Sequence, residues 1–296
     1  MIFHPHAIAY LDILGFSQFV VETETEPDKM RCLDKLFNEV IPREVSDQGK
    51  NIAFPNDLGM KCLSCSDSIV ISAPVTEKAP YPPMVAVSMK AIQVAHSLID
   101  MGFLVRGAIS QGNVYRTDSN ILGTGFLEAV NAEKKAGNPK IVLTASAKKA
   151  LNELIEKGYP RYSIYAKDEL EQIILNSIHP FQDYFPNKYG APDNYFNKYR
   201  DTIMENLSNG KLDEKARQKW LWTAGLFNSN NKIFSSLTSL EPPPTIQTNE
   251  ALPTIIVNYL NPLDPDWMND CKAPGVRLTL QYPKNRFHAT ERRDPD

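Results

Sequence analysis

The sequence predicts an α/β sandwich built on a mixed sheet, and three observations carry that prediction. Short apolar runs bounded by glycine or turn formers alternate with stretches whose apolar residues recur every three or four positions, the marks of buried strands and amphipathic helices. Two of the strand-like runs are followed closely by a second run across a small polar turn, so hairpins interrupt the alternation and a fully parallel sheet is disfavoured. Apolar residues make up 42% of the 296 and charged residues 23%, which suffices for a core without disulfide or metal staples.

Ala7 to Leu14 is the first apolar run. It carries one carboxylate, Asp12, and ends at Gly15, so it reads as a strand buried on both faces with the charge where strand meets loop. From residue 28 to 41, Met30, Leu33, Leu36, Phe37 and Val40 form the apolar stripe of a helix that Pro42 stops. Met60 to Ser64 and Ile69 to Ala73 are two strands joined through Cys65-Ser66-Asp67-Ser68, which puts Asp67 at a hairpin tip. Val85 to Met101 is a helix, with Gly102 placed to end it in the left-handed region. Phe103 to Ser110 is a strand containing Arg106, Gln111-Gly112 reads as a turn, and Val114-Tyr115 starts a partner strand. A helix from Gly125 to Ala136 and a strand from Ile141 to Leu143 follow.

Beyond about residue 166 the periodic signal fades. A Tyr, Asn and Pro-rich stretch from His179 to Tyr199 leads to a helix ending at Leu226, then Pro242-Pro243-Pro244, a strand-like run from Thr254 to Leu260, and a polar tail. Three successive prolines favour an extended connector. The expected division is a core over residues 5–165 and an extension over 166–296, helical with one or more strands, packing on that core.

Several function classes are disfavoured. Thirty-two basic against 35 acidic residues give a net charge of -3, no general attraction for nucleic acid or anionic membrane. No apolar stretch reaches 18 residues, and the apolar opening lacks a basic flank and a cleavage site, so neither span nor signal peptide is expected. Cys32, Cys62, Cys65 and Cys271 are too few for a secreted disulfide framework, and reduced thiols fit the cytoplasm. Cys62 and Cys65 form a C-x-x-C, but three positions along a strand turn side chains to opposite faces, so a shared metal is not expected. His4, His6, His96, His179 and His288 show no ligand spacing, Trp220 and Trp222 read as core, and Glu128 and Glu133 as charges that stabilise their helix or contact a neighbour.

The remaining candidates are carboxylates. Asp12, at the end of a buried strand, is costly unless paired or bound to a cation, and Asp67 meets it if the two strands are sheet neighbours. Two such groups suit two divalent ions for in-line phosphoryl displacement. Gly15 permits close backbone approach, and the amides near Gly15 and Phe16, if they open a helix, face an anion.

Four segments, Tyr10 to Ser17 (YLDILGFS), Ser66 to Ser72 (SDSIVIS), Val105 to Gly112 (VRGAISQG) and Ile121 to Lys134 (ILGTGFLEAVNAEK), resemble in order and spacing the core of class III nucleotidyl cyclases. The last is similar to the bacterial pyrimidine cyclases of Pycsar antiphage systems. The resemblance spans about residues 7–150. It implies a ferredoxin-like core with a mainly antiparallel sheet, and Asp12, Asp67 and the carbonyl of Ile13 as ligands of two Mn2+ or Mg2+ ions. The amides of Leu14, Gly15 and Phe16 would bind the phosphates. It further implies a homodimer whose site lies between chains, with Asp12 and Asp67 of one facing Arg106 or the Asn131 helix of the other.

The implied activity is conversion of UTP to 3′,5′-cyclic UMP and pyrophosphate. The product is a messenger for a separate effector protein in antiphage defence, reached through that product alone. Cytidylate cyclase, purine cyclase and a non-catalytic nucleotide sensor are the alternatives. This chain departs from the family in two places. The transition-state pair of purine cyclases, Asn and Arg four apart, is matched here by Asn131 and Lys135, and Lys lacks the bidentate geometry of Arg. Arg106 is the alternative cation. The base-reading Lys of adenylyl enzymes, four residues before the second metal Asp, is Leu63 here, which cannot hydrogen-bond a purine edge.

Overall fold

A computed structural model describes residues 2–41, 58–76, 82–157, 164–179, 192–210, 212–231 and 244–257. Pro42, Pro242, Pro243, Cys271, His288 and the end of the Thr254 to Leu260 run lie outside them. Strand β1 (His4–Leu14) leads through Gly15 into α1 (Phe16–Thr23) and α2 (Pro27–Lys35), which continues as a π-helical turn over Leu36–Val40. The hairpin β2 (Lys61–Cys65) and β3 (Ser68–Pro74) has Asp67 in its turn. Then come α3 (Pro83–Ile99), β4 (Leu104–Arg116), β5 (Ile121–Leu122), α4 (Thr124–Lys135), β6 (Ile141–Leu143) and α5 (Ala145–Glu156). Strands β7 (Tyr165–Lys167) and β8 (Ile173–Leu175), helices α6 (Pro192–Ser208) and α7 (Glu214–Ser229), and β9 (Ile256–Val257) complete the described elements.

Among the described residues the strands form one sheet in the order β2-β3-β1-β4-β6-β8-β7-β9, with β5 paired to β4. Only β4 with β6 is parallel; the other pairs are antiparallel. The α/β class with a mixed, mainly antiparallel sheet is therefore the observed one. The sheet runs on across position 166, inside β7, and β8 and β9 extend it, so the 165/166 division falls within a strand.

Alternation along β1 sets the two faces. Ala7, Ala9, Leu11 and Ile13 join the main core with α3, while Ile8 packs in a smaller cluster with Val70, Val114 and, on α4, Phe126. Nearly all of α3 is buried, as expected of a helix covered on both sides. Its outer side meets α6, where His96 packs edge-on to Tyr199 at 5.9 Å, and Tyr199 in turn stacks on Phe227 of α7 at 6.5 Å. No described helix is long and apolar enough to cross a membrane.

Two local expectations need correction. Gln111-Gly112 is no turn, because β4 runs straight through it to Arg116 and the hairpin closes later onto β5. The glycine serves close packing: a Cβ on Gly112 would stand 2.8 Å from the Cα of Gly125, whose carbonyl accepts from Ser110 Oγ at 2.7 Å. In the extension, the single helix expected before Leu226 is two, and α6 begins inside the Tyr, Asn and Pro-rich stretch.

Candidate active site

Asp12 lies near the C-terminal end of β1, in register with Ser68 on one side and Arg106 on the other. Ile13 N–H donates to the Asp67 carbonyl at 2.9 Å, which pins the hairpin turn against the same strand end. The structure thus brings Asp67 to Asp12 and Ile13, although it lies more than fifty positions further along the chain.

Around Asp12 the charges are crowded. Arg106 donates to Asp12 Oδ2 at 3.2 Å, and its guanidinium also binds the Glu133 carboxylate. Glu133 belongs to α4 and its side chain is only 4% exposed. Burial holds the Asp12 carboxyl above its usual proton affinity; Glu133 and Asp67 push the same way, against Arg106 and Lys219. Tyr10, two residues back on the same face, shares a hydrogen bond with Ser68 Oγ at 2.8 Å and meets Phe126 edge-on at 5.9 Å. Burial raises its phenol as well, with the neighbouring carboxylates adding to the effect.

Gly15 takes φ 80°, the left-handed region in which a side chain is strained, and no atom lies within 4 Å of where its Cβ would stand. The chain therefore turns sharply from strand to helix, and α1 begins with no side-chain cap. Uncapped first-turn amides beside open space form a partial positive end able to take anionic oxygens. Leu14, Gly15 and Phe16 are placed at that junction. Phe16 itself is buried and packs on Phe37 at 5.8 Å, so it offers its backbone alone.

Asn131 and Lys135 stand on the exposed side of α4, away from Glu133. The structure does not bring them to Asp12 of their own chain. Arg106, by contrast, is held by Asp12 and Glu133 of its own chain. Exposed Leu127 (57%) shares their side of the helix.

Glu133, expected to stabilise its helix or contact a neighbour, does the second, and its place beside Asp12 is what the sequence reading left unassigned. A signal was present: Gly125, Ala129 and Glu133, four apart, are the buried positions of α4, and a carboxylate on a stripe of small residues implies a buried cation opposite. Glu128 instead accepts from Ser146 N at 3.2 Å and from Ser146 Oγ.

The oxygen donors of Asp12, Asp67 and Ile13 suit a hard divalent cation, and the surplus of negative charge around Asp12 is what such a cation would relieve. Among the described residues no group of three or more His, Cys, Asp or Glu side chains is arranged to hold a metal. Cys62 and Cys65 pair with Ile71 and Ser68, on opposite faces, and burial pushes the Cys62 thiol up to about 12, which disfavours the thiolate at neutral pH. An open polar pocket lined by Asp100, Gly102, Thr202, Glu205 and Asn206 lies away from these groups.

No protein-family model matches the chain, and no curated protein matches it significantly. Among solved structures it is similar to the guanylyl cyclase Cya2, at 12% identity, TM-score 0.37, covering 50% of this chain and 79% of that one. It is similar also to the catalytic core of a rhodopsin-guanylyl cyclase with converted specificity in complex with ATPαS, at 15% identity and TM-score 0.36, covering 56% and 86%. A third is an adenylate/guanylate cyclase/hydrolase from Silicibacter pomeroyi, at 14% identity and TM-score 0.38, covering 59% and 96%.

Proposed function

We propose that the chain is a nucleotidyl cyclase of the class III type acting on a pyrimidine triphosphate, UTP before CTP. The observation that carries it is the meeting of Asp12 and Asp67 at one strand end, directly before the uncapped start of α1. Two carboxylates beside an anion-seeking helix end form a site for a polyphosphate with its cations. The preference for a pyrimidine is supported by Leu63, paired with Val70 in the hairpin, which offers a base no hydrogen bond. Uracil over cytosine, and a messenger role in antiphage defence, rest on the sequence resemblance alone.

In this reading the substrate supplies its own nucleophile. Its 3′-hydroxyl gives up its proton to solvent water and its oxygen bonds to the α-phosphorus, as the bond from that phosphorus to the α–β bridging oxygen breaks and pyrophosphate leaves. The α1 amides orient the phosphates, Asp12 and Asp67 would hold Mn2+ or Mg2+, and Arg106 with Glu133 fixes the Asp12 carboxylate. When bound, the divalent ions would neutralise charge on the attacking and leaving oxygens.

The partner is a second copy of the chain. The exposed side of α4, with Leu127, Asn131 and Lys135, is the surface that would face the other chain's carboxylates. Because Arg106 pairs within its own chain, complementation is expected between Asp67→Ala and Asn131→Ala proteins. Each alone would be nearly inactive, and mixing them would restore up to about a quarter of the activity by statistical pairing. The primary test incubates purified full-length protein with each of the four nucleoside triphosphates and Mn2+, with Asp67→Ala as control. A cyclic pyrimidine nucleotide and pyrophosphate are expected from wild type only. No product from any triphosphate refutes the proposal, and product that persists in the variant refutes the metal assignment.

A further inference from the structure

Helix α7 places beside the carboxylates a lysine that takes no part in their pairing. Lys219 stands one turn before Thr223, whose Oγ1 donates to the Lys219 carbonyl at 3.0 Å. Thr223 and Leu226 line a small internal cavity with Phe103, Leu104 and Val105, the three residues before Arg106. That contact holds α7 against the start of β4. The helix is further fixed by its Asp213 cap, which accepts from Ala216 N at 2.6 Å, and by Trp222 Nε1 donating to Glu169 at 3.2 Å. From there Lys219 feels the charges of both Arg106 and Asp12.

Two arginines nearby have partners, whereas Lys215, one turn before Lys219, is exposed to solvent. Arg217 on the same helix binds Glu250 at 2.6 Å and the Leu207 carbonyl at 2.7 Å, and Arg106 lies between Asp12 and Glu133. Lys219 is partly buried and makes no salt bridge or side-chain hydrogen bond among the described residues. Burial and then Arg106 disfavour its charge. Lys215, one turn earlier, acts the same way, while Asp213 and Asp12 favour the charge; Asp12 is already bonded to Arg106, so Lys219 has charge neighbours but no bonded anion of its own. A multiply charged anion bound at this end would give Lys219 that partner, and the uncapped start of α1 lies at the same strand end.

We propose that Lys219 is a substrate-binding residue contributed by the C-terminal segment, its ammonium contacting the phosphates of a polyphosphate whose other oxygens lie on the α1 amides. The identity of that polyphosphate as a nucleoside triphosphate rests on the cyclase reading; the anion class does not. The extension is then part of the site, and residues 5–165 alone would bind substrate poorly.

The test compares full-length wild type, Lys219→Met and Lys219→Arg in two assays: calorimetric binding of inorganic tripolyphosphate, and steady-state turnover of the triphosphate. Met keeps the length and apolar stem but loses the charge. Lys219→Met should bind tripolyphosphate about tenfold more weakly and show a KM about tenfold higher, with kcat changed much less and the melting temperature unchanged. Lys219→Arg should recover most of both losses. Unchanged tripolyphosphate affinity in Lys219→Met overturns the proposal, as does a loss in both variants that tracks a lowered melting temperature, since that marks packing. If wild type turns over no triphosphate yet Lys219→Met still weakens tripolyphosphate binding, the cyclase reading falls and Lys219 stands. Wild-type turnover with both assays unaffected by Lys219→Met gives the reverse.

Discussion

Two charge clusters flank the start of β4, and they differ in balance. On one side, Lys140 and Asp168 form an ion pair at 2.5 Å with side chains 2% and 0% exposed. The second Asp168 oxygen accepts from Leu170 N at 2.9 Å and Gln172 N at 2.8 Å, and the Lys140 carbonyl accepts from Gly107 N. Each of these groups has a partner, so the cluster is closed and serves the fold. On the other side, Asp12 and Glu133 bind Arg106, Asp67 adds its charge beside Asp12, and Asp12 is left with raised proton affinity. A closed cluster resists change; an unbalanced one is ready for a cation or an anion to complete it.

The sharpest way to break this contrast is to neutralise the open cluster. Asp12→Asn and Asp67→Asn should each lower turnover by at least about 10³-fold while the protein still folds. For Asp12 the sign can be worked out. A carboxyl whose folded proton affinity is raised stabilises the fold at low pH and loses that contribution as pH rises through its folded value. At neutral pH Asp12→Asn should therefore melt no lower than wild type, and thermal melts beside turnover check both halves. A variant that keeps a tenth of its activity, or melts well below wild type, would erase the difference between the clusters.

Asp168→Ala should do the opposite. It leaves Lys140 buried without its partner, and urea unfolding should register a loss of about 3–5 kcal/mol. A loss below about 1 kcal/mol would mean that the pair is not closed. A smaller effect is expected where α4 docks: in Gly125→Ala the new Cβ would stand 2.9 Å from the Gly112 Cα and 3.0 Å from its carbonyl carbon. Overpacking of this kind costs about 1–3 kcal/mol, measurable in the same titration, and should tilt α4 enough to loosen Glu133 from Arg106.

The mildest test uses pH on a buried histidine. Burial lowers His179 from 6.5 to about 3, so the unfolded chain binds its proton first. The stabilising contribution is complete above pH 6.5 and declines as pH falls toward about 3, by at most about 1.4 kcal/mol per pH unit. His179→Gln should flatten that acid limb in urea midpoints measured from pH 7 to pH 5; an unaltered slope would assign the limb to other groups.

Much of the fold was legible because it is encoded over a few residues. The apolar run before Gly15, the Ser66-Asp67-Ser68 turn and the helix before Gly102 each lie where periodicity and turn chemistry predict. The failures arose where one residue type has two uses. Gly112 looked like a turn former, but it is an inside contact whose partner, Gly125, arrives thirteen positions later. Helix α5 went unread although Thr144 caps it through Ala147 N. The exposed side of α4 was legible as the Asn131 and Lys135 spacing, whereas Glu133 needed its buried stripe to be noticed.

By itself the sequence determined the elements and the ends at which Asp12, Gly15 and Asp67 fall, because strand burial, left-handed turns and hairpin tips are local consequences of residue type. Only the tertiary structure decided which charges meet. Arg106 reaches Asp12 through the β1 and β4 register across 94 positions, Glu133 joins them because small residues let α4 lie close, and Lys219 comes near because α7 packs at the start of β4. Ion pairing falls off over a few ångströms, so it depends on register and packing that no local pattern records.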